Sequence, residues 1–169
     1  MNLIVAVTEN WGIGRNNDLL FKVSEDLKYF RATTTGKVVV MGHNTLKAMP
    51  NGLPLKNRTN IVLSRDSKLS VPGAVVCNSL EALFEHLKNY DPQDIFIIGG
   101  GTIYKELLPY CKKAYITKFE ATPEADTFFP NMDNMPNWQI DTVSGQKEFD
   151  GLGFRFYVYS ELTSKLSKA

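Results

Sequence analysis

The chain has 169 residues, of which 43% are hydrophobic and 22% are charged. This length suits one domain with its own core, and the composition excludes a disordered or collagen-like chain. Nineteen basic and eighteen acidic side chains leave a formal net charge of +1, so the dense positive charge of proteins that bind a nucleic-acid backbone is missing. We therefore expect a globular protein with no nucleic-acid partner.

The cysteines and histidines do not indicate a metal site. Cys77, Cys111, His43 and His86 form no motif with the spacing of metal ligands. Cysteines outside a C-x-x-C pair are typical of free thiols in a reducing compartment. The opening MNLIVAV has no basic segment before its apolar run, and that run is too short for a signal peptide or a membrane span. We expect a cytoplasmic protein without a metal or a membrane partner.

Short apolar runs bounded by turn residues alternate with helical patterns, which is typical of βαβ units around a mainly parallel sheet. The predicted strands are Leu3–Val7, Lys37–Met41, Thr59–Leu63, Ala74–Cys77, Ile95–Ile98 and Ala114–Phe119. The predicted helices are Ser24–Ala32, His43–Met49, Ser79–Leu87 and Thr102–Leu108. In the third helix, apolar residues recur at i, i+3, i+4 and i+7 behind a Ser79 cap.

The C-terminal part has a different pattern. Trp138–Val143 and Phe154–Tyr159 are alternating segments with Asp150-Gly151 between them, and they predict an antiparallel pair at the edge of the sheet. The predicted fold class is therefore α/β: a single domain with a mainly parallel central sheet flanked by helices and an antiparallel C-terminal strand pair. We place the domain at residues 1–162 and a C-terminal tail at 163–169.

Asp26 is the first candidate for chemistry. The positions i, i+3, i+4 and i+7 of a helical stripe are occupied by Val23, Asp26, Leu27 and Phe30, which puts one carboxylate among apolar side chains. Two interpretations remain open from this pattern. Asp26, with Glu25, could simply stabilise the positive end of a helix capped by Ser24. Alternatively, burial raises the pKa of the Asp26 carboxyl, and the group accepts two parallel N–H bonds from an amidine-like ring edge.

Two turns that contain glycine join a strand to a helix. Gly99-Gly100-Gly101 directly follows Ile95–Ile98, and Gly42 separates the strand Lys37–Met41 from the helix at His43. Glycines in such turns let backbone N–H groups approach a phosphate closely, although three glycines also suit a tight structural turn. Because ligands bind at the carboxyl ends of parallel strands, both turns can face the same crevice.

A loop and an arginine complete the candidates. The loop Asn10–Asp18 is rich in glycine and asparagine, and it could close over a site or be an ordinary long connection. Arg58 opens a predicted strand and could bind a carboxylate bidentately. Its alternative is a solvated surface arginine.

Eight segments, in this order and spacing, resemble the dihydrofolate reductase family over nearly the whole chain. They are LIVAV, GIGRNNDLL, SEDLKYFR, KVVVMGHNTL, PLKNRTNIVLS, IFIIGGGTIY, AYITKF and DTFFP. The resemblance implies that NADPH supplies a hydride for the reduction of 7,8-dihydrofolate to tetrahydrofolate in one-carbon metabolism.

No heptad pattern or obvious apolar patch demands a partner, so we expect a monomer.

The resemblance also implies a set of site residues. Asp26 would be the catalytic carboxylate, which holds the 2-amino group and N3 of the pterin and favours protonation at N5, with Thr117 bonded to it. The other positions that match substrate-binding residues are Val5, Ala6, Leu27, Phe30, Met49, Ile98 and Arg58, the last for the α-carboxylate of the glutamate tail. The positions that match cofactor-binding residues are Ala6, Ile13, Gly14, Gly42, His43, Asn44, Thr45, Leu63, Ser64, Arg65, Gly99, Gly100, Gly101, Thr102, Ile103 and Tyr104.

Two structural features follow from the same resemblance. The family's Gly-Gly cis peptide would fall at Gly99-Gly100. Asp126 and Thr127 match the loop that supports the mobile loop after the first strand.

Three positions depart from the family pattern. Leu19-Leu20-Phe21 replaces the usual Leu-Pro-Trp, so an indole N–H that commonly holds a water beside the carboxylate is missing. His43 replaces an arginine expected near the adenosine 2′-phosphate, and Arg65 could supply that charge instead. Thr102 stands where some members carry a basic residue, so diphosphate binding would depend on backbone N–H groups.

Two rival functions share parts of this pattern. The reductase domain of riboflavin synthesis shares the fold and the cofactor but would not need Asp26 or Arg58. A non-catalytic nucleotide-binding module would keep the glycine turns and lose the pterin pocket. The intact set of Asp26, Phe30, Arg58 and Thr117 argues against this module.

Overall fold

Apolar runs form the strands of one central sheet in the computed structural model, which describes residues 1–162. The predicted tail at 163–169 lies outside the described residues, so the boundary of the domain stays a prediction. The strands, in chain order, are β1 (Asn2–Val7), β2 (Gly12–Gly14), β3 (Val38–Gly42), β4 (Thr59–Leu63), β5 (Ala74–Cys77), β6 (Ile95–Gly99), β7 (Lys113–Phe119), β8 (Thr127–Phe128), β9 (Trp138–Val143), β10 (Lys147–Phe149) and β11 (Leu152–Glu161).

The central sheet has the order β10-β11-β7-β1-β6-β3-β4-β5, and β9 pairs with β11 on the edge opposite to β7. The pairs among β1, β3, β4, β5, β6 and β7 are parallel, whereas β11 pairs antiparallel with β7, β9 and β10. The predicted α/β fold with a mainly parallel sheet and antiparallel C-terminal strands is confirmed. All six strands predicted in the parallel part are present.

The two faces of the sheet are covered by different helices. The described helices are α1 (Ser24–Thr34), α2 (His43–Ala48), α3 (Leu80–Leu87) and α4 (Gly101–Leu107). Because successive side chains of a strand point to opposite faces, Val39 of β3 packs in a core with Leu46 of α2, with Phe30 of α1 at its edge. Val38 packs instead in a larger core with Leu83 of α3. The helices α1 and α2 therefore share one face.

The sequence predicts a serine cap for two helices, and the structure has one of the two. The Ser79 hydroxyl accepts a hydrogen bond from the backbone N–H of Ala82 at 3.0 Å, which confirms the predicted cap of α3. The predicted cap by Ser24 is wrong, because Ser24 is already the first residue of α1 and Val23 holds the cap position. Val23 is buried, so burial of its side chain, not a capping bond, fixes where α1 begins.

The C-terminal strands form as predicted, with one addition. Trp138–Val143 pairs with β11, but Asp150-Gly151 closes a hairpin between β10 and β11 and does not join the two predicted strands. Asp150 has φ 48° and Gly151 has φ 80°, and positive φ at both central residues is required by a type I′ turn. The three-residue strand β10 was too short to predict.

The strand β2 pairs with β8 in a small separate sheet. This pairing brings the loop after β1 against the segment that precedes β9. Both strands are too short for a periodic signal in the sequence. No helix in residues 1–162 is long and apolar enough to cross a membrane.

Cys77 and Cys111 are buried and unpaired. Burial raises the pKa of the Cys111 thiol to about 12. The two thiols take part in packing and not in a disulfide.

Candidate functional site

Asp26 of α1 and Thr117 of β7 meet on the face of the sheet that α1 covers. The Thr117 hydroxyl donates a hydrogen bond of 2.6 Å to Oδ1 of Asp26. Burial raises the pKa of the Asp26 carboxyl above its ordinary value, while the bond from Thr117 acts in the opposite direction. Since Thr117 is itself buried, it holds the carboxylate at a fixed position. The second carboxylate oxygen remains able to accept a bond from a ligand.

The predicted apolar pocket residues do not all lie on the face of the sheet that carries this carboxylate. Ile98, Phe30 and Met49 belong to the core on the α1 face, and Ala6 packs beside Val23 on the same face. The Val5 side chain lies in the core on the opposite face, because it alternates with Ala6 along β1. Val5 can therefore contribute to the predicted pocket through its backbone but not through its side chain.

Three leucines are exposed to solvent: Leu27 on α1, Leu19 before α1 and Leu53 in the segment after α2. Leu27 is 45% exposed, Leu19 is 52% exposed and Leu53 is 58% exposed. Large apolar side chains that stay exposed close to a polar group are typical of a ligand pocket. Only Leu27 was predicted, since nothing in the sequence distinguishes Leu19 or Leu53 from core leucines.

Phe21 lies in the place where the family usually has tryptophan. Its ring packs on Phe119 at 5.1 Å between centroids, in a cluster that also contains Val23 and Phe154. Phenylalanine has no N–H to donate, so this position contributes only apolar packing.

Arg58 is held at the end of α1 by several contacts. Its Nε donates to the Thr34 hydroxyl at 3.2 Å, its Nη1 donates to the Lys56 carbonyl at 2.8 Å, and its guanidinium carbon lies 6.0 Å from the centre of the Phe30 ring. Burial, and then the nearby Arg31 charge, lower the pKa of Arg58. The alternative of a freely solvated surface arginine is therefore wrong.

Thr34 is a residue that the sequence did not predict. It is fully buried, and its hydroxyl donates to the Phe30 carbonyl at 2.8 Å while it accepts from Arg58. A hydroxyl can do both at once. A threonine near the end of a helix gives no local signal, because its partner lies 24 residues away along the chain.

The predicted cofactor residues meet at the carboxyl ends of three adjacent strands. Gly42 of β3 is paired with Leu63 of β4, and Met41 is paired with Gly99 of β6. The segments that follow these strands are therefore neighbours, and they contain the predicted residues His43, Asn44, Thr45, Ser64, Arg65, Gly100, Gly101, Thr102 and Ile103. Tyr104 lies deeper, because its hydroxyl donates to the Ile4 carbonyl at 2.7 Å.

The Gly99-Gly100 peptide is cis, as the resemblance implied. A Cβ added to either glycine would lie 3.2 Å from the Thr45 hydroxyl oxygen, and one added to Gly101 would lie 2.6 Å from a methyl group of Thr127. Gly99 also has φ 134°, which favours glycine. Packing disfavours a side chain at Gly101, and backbone conformation disfavours one at Gly99, whatever the turn binds.

The loop after β1 lies close to this turn. The side chain of Ile13 reaches to 4.0 Å from a Cβ added to Gly101. The backbone N–H of Asn16 donates to Asp126 at 2.9 Å, and the Asn17 amide donates to the Asn44 carbonyl at 2.9 Å. Asp126 thus holds the loop as predicted.

No group of His, Cys, Asp and Glu side chains in residues 1–162 is arranged to hold a metal ion. The predicted residues at the three strand ends offer backbone N–H groups, hydroxyls and the Arg65 guanidinium as donors. These groups suit a ligand with phosphates.

Comparisons with known proteins agree with this geometry. The sequence pattern of the family described as dihydrofolate reductase matches residues 1–161. The chain is 34% identical to the dihydrofolate reductase of Staphylococcus haemolyticus over 96% of both chains, and 40% identical to that of Drosophila melanogaster over 93% of this chain and 95% of the other. A solved dihydrofolate reductase from Enterococcus faecalis, complexed with NADP(H), superposes with a TM-score of 0.84 at 29% identity over 95% of each chain.

The raised pKa of Asp26 predicts an effect on stability. A carboxyl whose pKa is higher in the folded protein than in the unfolded chain supports folding below the unfolded pKa, and that support is lost as pH rises through the folded pKa. Asp26→Asn cannot ionise, so we expect it to unfold at a higher urea concentration than the wild type at pH 7, with a smaller difference at pH 5. Urea titration at the two pH values measures this.

Asp126→Asn is the matched control, because the pKa of Asp126 is lowered by its bonds from Asn16 and Thr127. The pKa shift of Asp126 is opposite in sign to that of Asp26, so Asp126→Asn should be less stable than the wild type at pH 7. A lower urea midpoint for Asp26→Asn than for the wild type at pH 7 would contradict the interpretation.

Proposed function

The chain belongs to the dihydrofolate reductase family, and from this premise we propose that the residues described above carry out the NADPH-dependent reduction of 7,8-dihydrofolate to tetrahydrofolate. The observation that carries the proposal is the half-buried Asp26 carboxylate bonded to Thr117, with the exposed Leu27 next to it on α1. A flat heterocycle with adjacent N–H donors suits that combination, because the ring covers apolar surface while its edge binds the carboxylate.

Asp26 orients the pterin and supports its protonation. Oδ1 accepts from Thr117 and keeps a second lone pair, so the two oxygens together can accept the parallel N–H bonds of the 2-amino group and N3 of the ring. The negative charge of Asp26 favours the form of the substrate that is protonated at N5. The proton itself comes from solvent or through Asp26, and such acid assistance contributes about 10² to 10⁴ in rate.

Arg58 receives the α-carboxylate of the glutamate tail. Thr34 and the Lys56 carbonyl fix two of its donors, so the guanidinium meets an incoming carboxylate with little loss of side-chain freedom. The ring of Phe30 lies beside it. The contacts of Arg58 thus join the substrate tail to the same helix that carries Asp26.

NADPH fits the residues at the strand ends. The turns at Gly42 and Gly100 come close together, because a Cβ added to Gly42 would lie 4.0 Å from the backbone nitrogen of Gly100. Backbone N–H groups and the Thr45 hydroxyl suit the diphosphate, and Ala6, Ile13 and Gly14 would border the nicotinamide. When bound, NADPH supplies the hydride that reduces C6 of the pterin.

The 2′-phosphate of NADPH would lie beside His43 and Arg65. These residues follow β3 and β4, which are paired up to Gly42 and Leu63. Arg65 is exposed, so its permanent charge is available to a phosphate. His43 replaces the arginine usual in the family, and Arg65 therefore carries most of the preference for NADPH.

The rival functions are not favoured. A riboflavin-pathway reductase does not need Asp26 bonded to Thr117, and a nucleotide-binding module needs neither that pair nor the oriented Arg58. We further propose a monomeric, cytoplasmic protein that does not bind nucleic acid, with a domain that spans residues 1–162.

Asp26→Asn tests the reaction directly. The variant keeps the shape of the side chain but loses its charge, so kcat at pH 7 should fall by about 10² or more. Lower pH should partly restore the rate, since solvent then supplies the proton. The loss of NADPH absorbance with dihydrofolate measures both, and Asp94→Asn, which changes a half-buried carboxylate paired with Lys37 outside the site, should match the wild type. An unchanged rate at pH 7 removes Asp26 from the mechanism.

Arg58→Ala tests the binding of the tail. Loss of a charge-assisted bond should raise KM for dihydrofolate by about tenfold or more, while a dihydropterin without glutamate should keep its KM. Thr34→Val leaves the guanidinium in place but removes one of its partners, so the same KM should rise by less. If both variants weaken both substrates equally, Arg58 has a structural role only.

Arg65→Ala tests the choice of cofactor. The ratio of NADPH to NADH affinity should fall by about tenfold or more, whereas His43→Arg should increase it. Lys68→Ala is the control, because Lys68 is an exposed basic residue in the same loop. Dissociation constants from calorimetry decide the matter, and a ratio insensitive to Arg65 places the 2′-phosphate elsewhere.

A further inference from the structure

Lys118 lies in a cage of aromatic rings and a carboxylate, on the face of β7 opposite to Thr117. Its ammonium nitrogen is 4.8 Å from the ring centre of Trp11, 4.6 Å from that of Tyr157 and 5.3 Å from that of Tyr159. It is also 3.0 Å from a carboxylate oxygen of Asp133. We call these five residues the lysine cage.

The carboxylate of the cage is itself held in place. The Tyr159 hydroxyl donates to Asp133 at 2.7 Å. Burial acts to raise the pKa of Asp133, but the bonds from Tyr159 and Lys118 bring it below its ordinary value. Asp133 is therefore ionised at neutral pH and attracts the ammonium. A cation that is paired and partly desolvated interacts more strongly with aromatic faces than an exposed one.

Trp11 is the member of the cage that needs support. It is buried, with φ 63°, a backbone conformation that bulky side chains rarely adopt. Such a residue persists only where its surroundings fix it. Its backbone N–H donates to the Thr8 carbonyl, and its backbone carbonyl accepts from the backbone N–H of Phe129. Its ring stacks on the Phe129 ring. Lys118 supplies a further contact, from a neighbouring strand of the central sheet.

The segment that follows Trp11 is β2. The Gly12 carbonyl accepts from the Thr8 N–H at 3.0 Å, and the Gly12 N–H donates to the Thr8 hydroxyl at 2.9 Å. These two bonds close a turn in which Trp11 is the residue directly before Gly12, so a displaced Trp11 would also displace Ile13 and Gly14 over the glycine turn.

We propose that Lys118 is a positioning residue for the cofactor side of the site: it fixes Trp11, and through Trp11 it fixes β2. The proposal rests on the proposed function in one respect, namely that Ile13 and Gly14 border the nicotinamide. It makes β7 serve both halves of the reaction. Thr117 orients Asp26 on one face, and the next residue anchors the cofactor loop from the other face.

Lys118→Met tests this role, because methionine keeps most of the side-chain length and loses the charge. In the ligand-free protein, the amides of Gly12–Gly14 should exchange hydrogen faster by about fivefold or more. The dissociation constant of NADPH should rise by a similar factor, while that of dihydrofolate stays the same. Lys118→Arg should restore both values, since a guanidinium can also pair with Asp133 and stack on the rings.

Lys88→Met is the matched control. Lys88 forms an ion pair of 2.8 Å with Glu85 on the exposed surface of α3, so its loss should change neither exchange nor binding. The proposal is overturned if Lys118→Met leaves the exchange of Gly12–Gly14 unchanged, or if it weakens both ligands equally. If Lys118→Met does not fold, Asp133→Asn decides, because removal of the carboxylate must speed exchange at the same amides.

The two proposals fail in different ways. A wild-type protein that binds neither NADPH nor dihydrofolate contradicts the proposed function. The exchange of Gly12–Gly14 in Lys118→Met still decides whether the lysine cage anchors β2.

Discussion

The placement of β1 between β6 and β7 is the constraint on which the rest of the site depends. Register with β7 sets Ala6 beside Thr117, and register with β6 sets Leu3 beside Ile97. Because all three strands are parallel, the end of β7 that carries Thr117 and the end of β6 that leads into the glycine turn lie at the same edge. Substrate and cofactor residues can therefore face each other without a second domain.

Because side chains alternate across the sheet, its two faces have different roles. Residues on the α1 face surround the carboxylate with apolar groups, which explains why its charge is costly and its pKa raised. Residues on the other face form the larger core that supports α3 and α4. Val5 illustrates the division, since its side chain serves the opposite core although its neighbour Ala6 lies on the α1 face.

Most of the parallel sheet could be predicted from the sequence, because long apolar runs separated by helical patterns permit few other folds. The resemblance to a family supplied the roles of Asp26, Thr117 and Arg58, which local spacing left open. What escaped prediction depends on contacts between distant segments. The role of Thr34 depends on its bond from Arg58. In the sequence Lys118 is only a polar residue of a strand, and its role depends on its contacts with Trp11 and Asp133. The prediction of a Ser24 cap for α1 was wrong because burial of Val23 outweighed the preference of serine for the cap position.

The exposed Leu27, which follows Asp26 on α1, has a thermodynamic consequence. Its side chain is 45% exposed and therefore hydrated, and a bound ring that covers it releases that water. Burial of apolar surface lowers the heat capacity of a complex. The enthalpy of substrate binding should therefore become more favourable as temperature rises, while the affinity changes comparatively little because the entropy compensates.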